Sequence, residues 1–132
     1  MIRSLAIGAA AAALACASAT VVAGAEPAAR GCTYSMSPPH VVSVSGTQMV
    51  TVTMSPAACD DANPFSTVAC VQLEGGSGPG KCAQGNGTLP AQVYLSPFQP
   101  GATYIATGRG CASTGNPPES VCAPTGPVTA TP

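Results

Sequence analysis

"SPFQPGATYIATGRGC", Ser96 to Cys111, sets a proline–glycine corner directly ahead of a tyrosine and a run of alternating apolar and small residues. Pro100-Gly101 suits a turn, because proline pre-sets one backbone angle and glycine accepts the next. From Tyr104 onward the period of two is that of a strand. A half-buried phenol needs a hydrogen-bond partner, and a turn carbonyl just upstream is close at hand. Tyr104 is therefore expected to pin a strand to the corner before it, not to face a ligand.

The segments on either side of the corner read the same way. Prolines and glycines interrupt the chain every few residues, which forbids long helices and suits short strands and turns. "HVVSVSG" and "TQMVTVTM" alternate with β-branched residues, Val42 and Val44 sharing one face and Val50, Val52 and Met54 another. "STVACVQLE" follows and ends in the glycine-rich run Gly75–Gly80. "LPAQVYL", "ATYIATGRGCA" and a last segment from Val121 to Thr131 complete the set. Six or seven short antiparallel strands at this spacing imply an all-β sandwich.

Antiparallel pairing then constrains the cysteines. A hairpin centred between Gly46 and Thr47 sets Cys32 opposite Asp61, two residues from Cys59. A turn centred near Gly76 sets Cys70 opposite Cys82. A hairpin centred between Asn116 and Pro117 sets Cys111 opposite Cys122. Facing residues of antiparallel strands come close enough for a disulfide. The expected bridges are Cys32–Cys59, Cys70–Cys82 and Cys111–Cys122. Zinc is the competing use of six cysteines, but no C-x-x-C pair occurs and the sole histidine, His40, is far from any cysteine.

Residues 1–25 read as a signal peptide. Arg3 gives a positive start, Leu5 to Ala15 an apolar run, and Ala23-Gly24-Ala25 an A-x-A cleavage pattern. A lipid anchor on Cys16 is the lesser alternative, since Ala13 stands where a lipobox carries leucine. Residues 26–39 are read as a lead-in and 40–132 as the sandwich domain. A secreted location follows, and it is also the setting in which paired cysteines become disulfides. From Glu26 onward three cationic side chains (Arg30, Lys81, Arg109) face five acidic ones (Glu26, Asp60, Asp61, Glu74, Glu119), a formal charge of −2. That balance disfavours nucleic acid and anionic membrane surfaces as partners. No second apolar run is long enough to span a membrane, and a monomer is expected.

The chemistry for catalysis is sparse. His40 follows Pro38-Pro39 at a strand start and faces Thr53 in the register above, not a carboxylate. Asp60-Asp61 are adjacent, and neighbouring side chains of an extended chain diverge. No catalytic residue, cofactor or metal is expected. The favoured function is a non-enzymatic binding module whose partner is an unknown protein or envelope component. Its binding loops would be Ser55–Ser66 and Ser113–Ser120, with Asp60, Asp61, Asn63, Phe65 and Asn116 as candidate contacts.

The segment Phe98-Gln99-Pro100-Gly101-Ala102-Thr103-Tyr104 resembles the L-x-P-G-x-x-Y corner of fibronectin type III domains. The resemblance implies an Ig-like sandwich whose corner is Phe98, Pro100, Gly101 and Tyr104, with the tyrosine hydroxyl bonded back to backbone. Departures are the missing tryptophan on the second strand and Ala106 where an immunoglobulin domain has cysteine. The alanine-rich leader, scarce lysine and Pro/Thr-rich tail resemble small secreted actinobacterial proteins, mycobacterial ones among them. A second similarity, to the apoproteins of the neocarzinostatin family, implies the alternative function of carrying a small apolar ligand in a sandwich cleft.

Overall fold

The computed structural model describes residues 30–77 and 80–132. Residues 1–25, read from sequence as a signal peptide, and Cys16 within them lie outside the described residues. Eight strands form two antiparallel sheets: β1 Gly31–Met36, β2 His40–Val44, β3 Thr47–Asp60, β4 Ala62–Leu73, β5 Lys81–Asn86, β6 Ala91–Leu95, β7 Tyr104–Thr114 and β8 Glu119–Ala130. In the first sheet β3 carries β1 and β2 along one edge and β6 along the other. The second sheet runs β5-β4-β7-β8. The all-β sandwich and its three disulfides are as the sequence implies.

β1 lies inside the stretch read as a lead-in, yet it pairs with β3 along its whole length. The sandwich therefore begins at Gly31, not at His40. β1 and β2 are successive parts of one edge, interrupted because Pro38 and Pro39 have no N–H to give. Ser37 carries the ladder across the gap. Its N–H donates to the Thr53 carbonyl at 2.9 Å, and its Oγ accepts the Thr53 N–H at 3.0 Å.

The β2–β3 hairpin turns at Ser45-Gly46, both with left-handed φ (51° and 81°), so Val44 faces Thr47. The centre lies one residue earlier than the sequence reading had it, and His40 faces Thr51 instead of Thr53. Two positive-φ residues match the twist of the flanking strands, a stronger constraint than the position of glycine alone. Further along, Met36 faces Met54 and Tyr34 faces Pro56, but Thr33 faces Ala58. Ala57 is the extra residue of this bulge. The bulge brings Cys32 directly opposite Cys59, where the sequence reading had set Asp61.

Cys70 faces Cys82 and Cys111 faces Cys122, as the turn centres require. All three bridges join residues already opposite one another, with Cα separations of 4.0, 4.0 and 4.1 Å. The core between the sheets is small. Val50, Val52 and Met54 of β3, with Ala91 and Val93 of β6, meet Ala69 and Val71 of β4 and Tyr104 and Ala106 of β7. With no tryptophan to fill space, the inner face of β7 recedes instead. The Met54 sulfur occupies the space where a Cβ on Gly108 would stand, with the Met36 sulfur in contact beside it, and the Tyr34 ring fills the corresponding space over Gly110. Arg109 between them points outward from mid-strand and is exposed.

Candidate functional site

The corner that opens β7 is a folding device. Gln99-Pro100-Gly101-Ala102 closes a turn through the Ala102 N–H to the Gln99 carbonyl at 3.2 Å, with Gly101 at φ 80°. Tyr104 is 1% exposed, and its hydroxyl accepts the Gln99 N–H at 2.9 Å. The sequence reading offered a carbonyl as partner; the turn aims that carbonyl at Ala102 and leaves the amide for the phenol. Phe98 stacks on the tyrosine at 6.5 Å between centroids, and its N–H donates to Gln48 at 3.1 Å. No surface of Tyr104 remains for a ligand.

At the opposite end, the expected loop Ser55–Ser66 does not exist. β3 continues to Asp60 and β4 begins at Ala62, so the chain crosses between sheets through Asp61 alone, at φ 48°. Aspartate tolerates this left-handed backbone better than most residues. The β7–β8 hairpin reaches over the same end through Gly115–Pro118. Between the two lies an open groove of about 700 Å³ lined by Arg30, Asp61, Asn63, Ser113, Asn116 and Pro118, among others. Arg30 Nε lies 3.5 Å from Asp61 Oδ2, with both side chains well exposed, an ion pair that contributes little stability.

Three of the five candidate contacts, Asp61, Asn63 and Asn116, thus meet in one groove. Asp60 turns to a second, smaller depression of about 360 Å³, where Gly31, Cys32, Thr33, Ala58 and Cys59 face Val121 and Ala123 of β8. Phe65 joins neither. It is the extra residue of a bulge between Pro64 and Ser66, 44% exposed, and its carbonyl accepts the Gly87 N–H at 3.1 Å. Arg30 was not singled out from sequence, and Ser113 and Pro118 were named only as part of the loop Ser113–Ser120. The β1–β3 pairing brings Arg30 beside Asp61, and the β4–β7 pairing sets Ser113 opposite Asn63.

His40 is exposed, with Nδ1 3.0 Å from the Pro38 carbonyl and no carboxylate opposite. Among the described residues no group of three or more His, Cys, Asp or Glu side chains is placed to hold a metal ion. No helix among them is long and apolar enough to cross a membrane. Burial raises the Tyr34 phenol above its ordinary pKa of 10.0. Its hydroxyl and that of Thr67 are buried without a partner. Comparison with protein-family models, curated proteins and solved structures gave no match.

Proposed function

We propose that the chain is a secreted, non-enzymatic binding module of the extracellular space or cell envelope. The observation that carries this reading is the groove at the Asp61 end, where Asp61, Asn63, Ser113 and Asn116 present hydrogen-bonding groups from the β3–β4 crossing, two strands and a hairpin turn. Cys32–Cys59 and Cys111–Cys122 brace the strands that frame it, which lowers the ordering cost of binding. The mixed, weakly charged lining suits a polar partner read by hydrogen bonds more than by net charge. The leader pattern and the three bridges support export.

The fold reading belongs with it. The strand order β1/β2-β3-β6 and β5-β4-β7-β8, with Tyr104 bonded back across a proline–glycine turn, supports a fibronectin type III-like, Ig-like sandwich. An actinobacterial, mycobacterium-like source remains a reading of leader and composition.

Labelled protein passed over envelope extract should retain a specific component. The double variant Asn63→Ala, Asn116→Ala should lose it while keeping its melting temperature. Retention of nothing by the wild type, or equal retention by the variant, would count against the groove.

A second reading has its own observation. The depression beside Cys32–Cys59 has a mainly apolar wall and a volume at the low end for small-molecule sites. A carrier of a small apolar ligand would use it. Native mass spectrometry of protein from its own host tests this, since a carrier should co-purify with an added mass and a clean apo mass argues against one.

A further inference from the structure

Asn63, Asn86 and Asn116 are the asparagines of the chain, and the residue after each sets its chemistry. Asn63 and Asn116, which line the groove at the Asp61 end, are followed by Pro64 and Pro117. A proline nitrogen has no hydrogen to lose and cannot attack the side-chain amide before it. Gly87 follows Asn86, and a glycine N–H has no side chain beside it to hinder that attack.

The surroundings of Asn86 both expose it and hold it. It ends β5, an edge strand of the second sheet, with its side chain exposed on the same face as Gln84. Gln84 Nε2 donates to Asn86 Oδ1 at 3.1 Å, which polarises the side-chain carbonyl toward attack. A Cβ on Gly87 would meet nothing within 4 Å, so water reaches the turn. The peptide unit between the two residues, however, is fastened at both ends. Its carbonyl, that of Asn86, accepts the Leu89 N–H at 3.1 Å, and its N–H, that of Gly87, donates to the Phe65 carbonyl at 3.1 Å. Gly87, at φ 60°, takes the first central position of this turn, the place that type II′ turns reserve for glycine.

We propose that Asn86 is a site of spontaneous deamidation, gated by the carbonyl of the Phe65 bulge. The Gly87 nitrogen bonds to the side-chain carbon of Asn86, the carbon–nitrogen bond of the side-chain amide breaks, and ammonia leaves with the Gly87 proton. Water then opens the cyclic imide at either carbonyl, giving aspartate or isoaspartate. Water is the only co-reactant, and nothing is oxidised or reduced. Attack requires the clamped peptide unit to turn its nitrogen toward the side chain, so the Phe65–Gly87 bond opens first. β5 is a six-residue edge strand, the kind of element that opens locally while the rest stays folded. The product gains a carboxylate, and isoaspartate also adds a main-chain atom at the position opposite Ser66. The groove asparagines are exempt, so the groove keeps its lining while this edge changes. That holds whatever the groove binds.

The disulfide-bonded protein and the reduced chain in denaturant, incubated side by side in mildly alkaline buffer, test it. Acidic species are counted by ion exchange and located by peptide mass and isoaspartate content. The native protein should gain one negative charge, at Asn86, several-fold more slowly than the unfolded chain, with Asn63 and Asn116 unchanged in both. Asn86→Gln should abolish the acidic species. A second readout needs no variant. The Gly87 amide should be protected from hydrogen exchange in the native protein, and mild denaturant should speed its exchange and the deamidation in parallel. Acidic species that persist in Asn86→Gln, conversion at Asn63 or Asn116, or equal rates in the native and unfolded chains would overturn the proposal. So would a native Asn86 that stays intact through many half-lives of the unfolded reaction, or an unprotected Gly87 amide. A glycan on Asn86 would overturn it equally, since Asn86-Gly87-Thr88 also fits the acceptor sequence for one.

Discussion

Tyr104 and Tyr34 are both tyrosines facing the interior, and their hydroxyls differ in one respect that sets their energetics apart. The Tyr104 hydroxyl accepts the Gln99 N–H, while that of Tyr34 has no partner. Tyr104→Phe removes a bond that closes the corner and should cost about 1 kcal/mol, read as a fall in denaturant midpoint at unchanged slope. Tyr34→Phe removes a buried hydroxyl that nothing satisfies and should be neutral or stabilising. The two also part at high pH. Burial raises the folded-state pKa of Tyr34 above 10.0, so the neutral phenol is the form that folding favours. Its contribution is complete below pH 10 and is lost as pH climbs through the raised value. Stability measured across that range should fall with a steeper slope in the wild type than in Tyr34→Phe, and equal slopes would contradict this assignment. The corner was legible in the sequence because proline, glycine and tyrosine carry their geometry in their covalent structure. The hydroxyl's partner was not, since which peptide group faces the phenol depends on the turn being closed by Ala102. Gly110 was equally silent, because its role is the space that it leaves for a ring on another strand.

At the scale of strands, alternation located most elements but not their register. Ser45 at positive φ gave no compositional warning, and the β2–β3 turn closes one residue earlier than glycine placement suggests. β1 was hidden for a different reason. Ser37-Pro38-Pro39 reads as a break, and a strand of six residues before a break looks like a tether until Ser37 is seen to carry the ladder through it. Ala57 is the residue that reconciles the two halves. It absorbs the offset introduced at the prolines and lets Cys32 face Cys59. Inserting one alanine after Ala57 should move the β1 partner by one residue, setting Cys32 opposite Ala58 with Cys59 turned to the other face. Peptide mapping under non-reducing conditions should then show Cys32 and Cys59 free or mispaired, with Cys70–Cys82 and Cys111–Cys122 intact. A normal Cys32–Cys59 peptide in the insertion variant would show that the one-residue bulge does not set the register. The same dependence on bulges explains the candidate contacts. Asn63 and Asn116 converge because the β4–β7 and β7–β8 ladders bring them together, while the bulge at Phe65 carries that residue out of the group.

For the molecule as a whole, the narrow core and the three bridges have to be weighed together. Core residues are mostly valine, alanine and methionine, each of which buries less apolar area than an aromatic side chain. A domain of this size therefore leans on covalent links that limit the unfolded chain. The three links are unequal. Cys32–Cys59 closes 27 residues, whereas Cys70–Cys82 and Cys111–Cys122 close 12 and 11. By loop-closure entropy the first should contribute about 3.5 kcal/mol and the other two about 2.8 kcal/mol each. Position adds to the difference. Cys70–Cys82 and Cys111–Cys122 lie within the β5-β4-β7-β8 ladder, whose strands pair along most of their length. Cys32–Cys59 fastens β1, a six-residue edge strand separated from β2 by two prolines, and β1 also packs on β7 and β8 across the sandwich. Replacing each pair by alanine should therefore lower the melting temperature most for Cys32/Cys59. That variant should also open the apolar depression that the bridge lines, detectable as binding of a dye that fluoresces in apolar surroundings. If Cys70/Cys82 or Cys111/Cys122 proved the costlier loss, the edge seam at β1 could not be the weak point of the sandwich, and stability would have to reside in the β4–β7 ladder instead.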